Sequence, residues 1–292
     1  MKKSIVITGG AGFVGSNLIK CLLKKTKYNL ISIDNYSSGS HKNHIKSKRV
    51  SYIKSDTQNI NKVLKNPKKI HSLFHFGEFA RIYQSFLKME ECINSNTIGS
   101  NAVINFCFSN NIKLIYSATS ATIGNKGNDK NLSPYAFTKA KNLELLENLK
   151  KWFKFKSEII YFYNVYGPNQ ISSGSMATVI GIFEDLYKKK RPLTVVRPGT
   201  QSRRFTHIDD TVNACYFAWK QNKCRHYSIS NRESYSILEV AKMFQSKIKL
   251  LSPRRGERFA SALTSMNLSN KVYQIFGKVR LKVYIKNVIK SQ

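Results

Sequence analysis

The segment Thr8-Gly9-Gly10-Ala11-Gly12-Phe13-Val14-Gly15 follows a short apolar run, Ser4-Ile5-Val6-Ile7, and opens a stretch with Leu18-Ile19 and Leu22-Leu23 at helical spacing. Few folds take a strand through spaced glycines straight into a helix. Gly9 permits the tight turn, Gly12 lets the backbone approach a pyrophosphate, and Gly15 lets helix and sheet pack closely. Phe13 and Val14 belong to the same candidate set, because the first helical turn presents free N–H groups and a dipole that favour negative charge. The next apolar run, Leu30-Ile31-Ser32-Ile33, ends at Asp34. A carboxylate about twenty residues beyond the glycines can accept hydrogen bonds from adenosine ribose hydroxyls. It would also repel a 2′-phosphate, so the pattern reads as an NAD site in preference to NADP. The plain alternative is an ordinary strand-to-helix turn followed by a surface carboxylate.

With 292 residues, 41% of them hydrophobic, the chain can bury one large α/β domain or a cofactor domain with a smaller appendage. No apolar run is as long as a membrane span. Met1-Lys2-Lys3 leads directly into the first strand with no signal-peptide pattern, so the expected location is cytoplasmic and no membrane partner is expected. Cys21, Cys92, Cys107, Cys215 and Cys224 show neither paired nor metal-ligand spacing, and no metal is expected. Lysine and arginine outnumber aspartate and glutamate 49 to 16, a net charge of +33. Such a field attracts anions and can hold nucleic acid nonspecifically. The lysines are scattered, however, as in Lys24-Lys25, Lys68-Lys69, Lys150-Lys151 and Lys188-Lys189-Lys190, with no basic tail or RNA-binding motif. Compositional bias explains that distribution first, attraction of a diphosphate substrate second; specific nucleic-acid binding is not expected.

Strand-like and helical patterns alternate through residue 165. Strand candidates lie at Val50–Ile53, His71–Phe76, Lys113–Tyr116 and Glu158–Tyr163; helical patterns run from about Glu91 to Ser109 and from Pro134 towards Trp152. This alternation predicts a Rossmann-type, doubly wound parallel sheet, with ligands at the carboxyl ends of its strands. Past residue 167, helical patterns near 176–190 and 208–222 are separated by strand candidates Leu193–Val196 and His226–Ile229. We expect a dinucleotide-binding domain over 1–166 and a smaller α/β substrate lobe over 167–292, with the chain crossing between them.

Ser133-Pro134-Tyr135-Ala136-Phe137-Thr138-Lys139 sets Tyr135 and Lys139 four apart at a helix start, one turn apart on one face. A phenol is a poor base at neutral pH, but a nearby ammonium favours the phenolate. A merely structural tyrosine–lysine pair has the same spacing. Tyr116-Ser117-Ala118-Thr119-Ser120-Ala121-Thr122 closes a strand with hydroxyls, and Thr119 could hydrogen-bond the oxygen that Tyr135 attacks; such a run also caps strand ends.

These residues, with Asn164-Val165-Tyr166-Gly167-Pro168 and Arg203-Arg204-Phe205-Thr206-His207-Ile208-Asp209-Asp210, stand in an order that resembles the extended short-chain dehydrogenase/reductases. Within them the match is to the nucleotide-sugar epimerase/dehydratase group that includes UDP-glucose 4-epimerases, and it extends to about residue 276. The resemblance implies NAD held by Gly9, Gly12, Gly15 and Asp34, with Asp56 beside the adenine. Phe76 and Gly77 would line the cofactor, and Asn96 would stand behind that strand; Glu78 is unusual there. It further implies Tyr135 as base, Lys139 as its electrostatic partner and ribose ligand, and Thr119 as the family's Ser/Thr. Asn164, Arg203 and Arg254 would contact the nucleotide diphosphate, and two helices, one bearing Tyr135, would form a homodimer.

The resemblance also bears on the reaction. The similar 4,6-dehydratases carry Thr-Asp-Glu and the UDP-glucuronate decarboxylases Thr-Ser-Glu where this chain has Thr119-Ser120-Ala121. Lacking those carboxylates, the chain is expected to be an isomerase that 4-epimerises a UDP-hexose through a transient 4-keto sugar. A nucleotide-sugar reductase and an ADP-heptose 6-epimerase remain as alternatives, the latter through the spacing of Tyr116 to Gly124. The non-enzyme alternative is a nucleotide-sensing or nucleic-acid-binding protein on the same fold, to which an intact Thr119/Tyr135/Lys139 set would be of no use.

Overall fold

A computed structural model describes residues 3–256 and 272–291. Its centre is an eight-stranded parallel sheet. The first six strands are β1 (Ser4–Thr8), β2 (Asn29–Asp34), β3 (Val50–Lys54), β4 (Ile70–His75), β5 (Lys113–Thr119) and β6 (Ser157–Phe162). They lie in the order β3-β2-β1-β4-β5-β6, so the winding reverses between β1 and β4 and opens a crevice there, as in Rossmann folds.

Side chains alternate across this sheet, as the period of two requires. Ile5 and Ile7 of β1, Ile115 of β5 and Ile160 of β6 pack on one face with Leu18, Ile19 and Leu22 of α1 (Phe13–Lys25) and with Val212 and Cys215. Val6, Leu114, Tyr116, Ile159 and Tyr161 pack on the other with Val103, Ile104, Leu143 and Leu146. Both faces are therefore covered by helices, which is why the strands read as nearly continuous apolar runs.

Two strands from beyond residue 167 complete the sheet: His226–Ser230 pairs with β6, and Val272–Phe276 pairs with His226–Ser230. The first was expected as a strand without a position, and the second was not read from the sequence at all. A separate cluster built from Tyr166, Ile180, Phe183, Leu193, Val195, Phe205, Val240, Phe244, Leu281 and Ile285 forms a second, smaller core. Residues 257–271 of the expected substrate lobe lie outside the described residues. The helix expected from 91 to 109 is three pieces, Met89–Ile93, a π-helical stretch Asn94–Gly99, and Ser100–Ser109. Among the described residues no helix is long and apolar enough to cross a membrane.

Candidate active site

The turns that follow β1 and β4 meet at the winding reversal. Gly9 has φ +70°, and a Cβ on it would lie 2.8 Å from the backbone of Phe76 and Gly77. Thr8 ties the same turns together, its Oγ1 accepting from the backbone N–H of Phe76 (3.1 Å) and of Gly77 (3.0 Å). A Cβ on Gly15 would sit 2.1 Å from the Gly9 carbonyl oxygen, so only glycine lets α1 approach the loop this closely. Gly12 caps α1 without a side-chain hydrogen bond, and no acidic residue stands in the first turn. The start of the helix therefore keeps its affinity for an anion. The Phe13 ring is in the core, leaving its backbone to the loop, while Val14 is half-buried.

Asp34 ends β2 beneath this loop. Its carboxylate accepts from Ala11 N (2.9 Å) and Tyr36 N (2.8 Å). Burial pushes its pKa up, against the N–H bonds from Tyr36, Ala11 and Gly12 and the nearby His44, which pull it down. Three N–H bonds still leave a carboxylate, with about four lone-pair sites, room for a hydroxyl donor. Asp56 is exposed after β3 and accepts from Asn35 Nδ2 at 2.7 Å. Phe76 packs edge-on against Phe162, 5.5 Å between centroids. Asn96 is fully buried in the π-helical stretch. Its amide bonds Phe79 N (2.7 Å) and Phe79 O (3.0 Å), so it acts on the segment after β4 from behind.

The helix Pro134–Phe153 starts sharply because the Ser133 side chain accepts from Ala136 N and Pro134 takes the first position. Tyr135, Lys139 and Asn142 fall on its buried face. Tyr135 packs with Phe79, Cys92, Ala121 and Ala136, and its backbone N–H donates to Ser85 Oγ at 3.2 Å. The Lys139 ammonium donates to the Ser117 carbonyl oxygen, lies 4.5 Å from the Tyr116 ring centre, and forms an ion pair with Glu78. Ser117 bonds Lys139 and Ala121 shares a cluster with Tyr135, so the strand end on either side of Thr119 is tied to this helix. The Thr119 Oγ1 accepts from Ala121 N at 3.2 Å.

Glu78, Ser100 and Asn142 were not read as functional from the sequence. Both partners of the ion pair are nearly inaccessible, with 4% of the Lys139 side chain and 2% of the Glu78 side chain exposed. Glu78 Oε1 also accepts from Ser100 Oγ (2.8 Å) and Tyr116 OH (2.9 Å). Asn142 Nδ2 reaches Asn96 O (2.6 Å) and Tyr116 OH (3.1 Å). Burial alone would raise the Glu78 pKa, but the Lys139 charge and the bonds from Lys139 and Ser100 outweigh it and hold the carboxyl below its ordinary range. Asn142 had a legible signal, since positions 135, 139 and 142 follow one helical face. Glu78 had none beyond its oddity.

Behind Glu78 the polar chain runs on to β1. Ser100 gives its one hydroxyl proton to Glu78, so it accepts from His75 Nε2–H (3.0 Å), and His75 Nδ1 in turn accepts from Thr8 Oγ1 (2.7 Å). Burial lowers the His75 pKa to about 4, keeping the ring neutral. As pH falls from about 6.5 to about 4, the unfolded chain takes up this proton before the folded one does. Folding stability should therefore drop by about 3 kcal/mol over that window through this residue. Urea denaturation at about pH 4.5 and pH 7 should show a smaller difference for His75→Gln than for the unmodified chain. Equal differences would contradict a buried neutral ring.

On the second core's side, Asn164 has φ 32° and its Nδ2 donates to Arg204 O at 2.7 Å. Arg203 sits half-buried in the short strand Ser202–Arg204 and donates to Ser202 O. Arg254 lies 5.2 Å over the Tyr83 ring, which brings it to the helix Ile82–Leu87 that also supports Tyr135 through Ser85. Arg81, which the sequence did not single out, donates to Met176 O, and its charge is felt by Tyr135.

Known proteins place this arrangement. A family model described as the NAD dependent epimerase/dehydratase family matches residues 5–230. An ADP-L-glycero-D-manno-heptose-6-epimerase of Brachyspira hyodysenteriae is 28% identical over 263 residues, covering 85% of this chain and 82% of that protein. Among solved structures, a UDP-glucuronic acid 4-epimerase from Bacillus cereus, in complex with UDP-glucuronic acid and NAD, is 25% identical with a TM-score of 0.82, covering 99% of both chains. A UDP-N-acetylglucosamine 4-epimerase from Methanobrevibacter ruminantium M1, in complex with UDP-N-acetylmuramic acid, is also 25% identical with a TM-score of 0.82, covering 99% of this chain and 97% of that one. The model match spans most of the chain, including the glycine loop, Asp34 and the Tyr135 helix: the protein belongs to the NAD dependent epimerase/dehydratase family.

Proposed function

We propose that this chain 4-epimerises a UDP-hexose, with NAD regenerated in every cycle. The observation that carries this reading is that neither position after Thr119 bears a carboxylate: residues 120 and 121 are serine and alanine, and the buried Glu78 is committed to Lys139. Eliminating water from a sugar needs a further acid and base there. Removing one hydroxyl proton does not.

The residues fit the cofactor. The uncapped start of α1 suits a pyrophosphate, the room left on Asp34 suits a ribose hydroxyl, and no Cβ could occupy Gly9 or Gly15. NAD bound there would supply a reversible hydride acceptor for the sugar carbon. Tyr135 as phenolate takes the proton of the C4 hydroxyl, Lys139 stabilises that phenolate, and Thr119 hydrogen-bonds the developing ketone oxygen. Arg203 and Arg254 clamp the diphosphate while the keto sugar turns, a task suited to guanidinium–phosphate bonds, and Asn164 orders the same region. Tyr135 then gives its proton back to the C4 oxygen. The smaller core, from Tyr166 onward, is the lobe that receives the sugar nucleotide. Ile93, Ile98 and Phe137, exposed on the helices around 89–109 and 134–153, suit a homodimer face.

Incubation with UDP-galactose, UDP-N-acetylgalactosamine and their gluco epimers, without added reductant, should interconvert at least one pair. Interconversion of none overturns 4-epimerisation of these sugars. A second reading, 6-epimerisation of an ADP-heptose, is favoured by the 28% identity to such an epimerase, and ADP-heptose as a parallel substrate tests it.

A further inference from the structure

We infer that Glu78 is a positioning residue of this site: its buried carboxylate pins the Lys139 ammonium against β5 and sets how much positive field reaches Tyr135. The inference rests on the acid–base roles proposed above for Tyr135 and Lys139.

A carboxylate as inaccessible as Glu78 is tolerated only when paired and fully hydrogen-bonded. It has both, with Lys139 on Oε2 and with Ser100 and Tyr116 on Oε1. Its environment is itself oriented. Thr8 donates to His75, His75 to Ser100, and Ser100 to Glu78, so each donor in the chain points towards the carboxylate. Such aligned bonds reinforce one another in a low dielectric. The chain begins at the threonine that holds the Phe76–Gly77 turn against Gly9 and ends on the lysine one helical turn from Tyr135.

The electrostatic consequence has a definite sign. An ammonium alone is a monopole, but an ammonium touching a carboxylate is a dipole, whose field falls off faster. Glu78 therefore moderates the pull of Lys139 on the Tyr135 proton, and at the same time it keeps Lys139 protonated where burial works against the charge. Removing the negative charge lowers the affinity of both groups for their protons. Among the other groups facing the pair, burial pushes the Cys92 thiol up to about 11 and leaves the His75 ring neutral, and the Tyr116 phenol lies well above its ordinary range. Arg81 contributes a second positive charge felt by Tyr135. Near neutral pH the pair thus sets a carboxylate beside the ammonium one helical turn from Tyr135, and Arg81 adds positive charge from outside the pair.

The test is Glu78→Gln, which keeps shape and an acceptor oxygen but removes the charge. In the kcat–pH profile, both the acidic and the alkaline limb should move towards acid by about one pH unit or more, the scale of one charge at contact distance. A lowered kcat with both limbs unmoved would mean that Glu78 serves folding alone and overturns the inference. Ultraviolet difference titration of the purified protein without sugar nucleotide, E78Q against E78Q/Y135F and the unmodified chain against Y135F, follows the Tyr135 phenolate directly. Its midpoint should fall by the same amount. This arm reads out even if no sugar is epimerised, so loss of the epimerase reading and loss of this inference are told apart. Should E78Q be too unstable to assay, Glu78→Asp withdraws the charge from Lys139 by one methylene. A shift of about half a unit in the same direction is then expected, and none overturns the inference.

Discussion

Tyr135→Phe should lower turnover at least about a hundredfold, the usual loss when a positioned acid–base group is removed. The substitution deletes only the hydroxyl. The ring keeps its packing against Phe79, Cys92, Ala121 and Ala136, and the backbone N–H keeps Ser85. KM for the sugar nucleotide should therefore change far less than kcat, the pattern of an interaction made chiefly in the transition state. Steady-state kinetics on the pair that interconverts, with thermal denaturation as a folding control, checks this. Near-normal kcat in a folded variant would remove Tyr135 from the role of base, and with it the reason for assigning Lys139 and Thr119.

The second large effect is on stability. Lys139→Met leaves the Glu78 carboxylate buried without its counter-ion, and breaking such a pair from one side costs about 3–5 kcal/mol. The double variant E78Q/K139M removes both charges and keeps an amide oxygen to accept from Ser100 and Tyr116. It should recover most of that loss, because exchanging a whole buried pair for neutral groups is often close to neutral. Urea denaturation of the unmodified chain and the two variants gives the comparison. A double variant no more stable than Lys139→Met would show that the pair is not what holds this part of the fold. Because the partners are 61 positions apart in the chain, the effect joins the turn after β4 to the Tyr135 helix and is not confined to one element.

The alternation of strands and helices, the winding and the glycine turn were legible because each is written in neighbouring residues. Apolar runs of strand length, glycines at fixed spacing and Asp34 at a strand end all act within a few positions of themselves. Val272–Phe276 was not legible. Its pattern, Val-Tyr-Gln-Ile-Phe, is half exposed at the sheet edge and differs little from a loop until His226–Ser230 offers it backbone partners. The π-helical stretch at Asn94–Gly99 escaped for a related reason. Its residues suit an α-helix, and what accompanies the wider turn is the docking of Asn96 onto Phe79, a contact across 17 positions.

At the site the division is similar. Tyr135 and Lys139 share a helical face by spacing alone, and Thr119 ends its strand by local pattern. The sequence by itself determined the sheet class, the cofactor loop and which side chains share a helix face, since these follow from periodicity and backbone sterics. Only the tertiary structure decided that Glu78 closes on Lys139 and that His75 is neutral. It likewise decided that Thr8, His75, Ser100 and Glu78 form one oriented chain, and that two late strands complete the sheet. Those outcomes depend on burial and on partners distant in the chain, and the free energy of a charge or of a strand edge is set by what surrounds it in space.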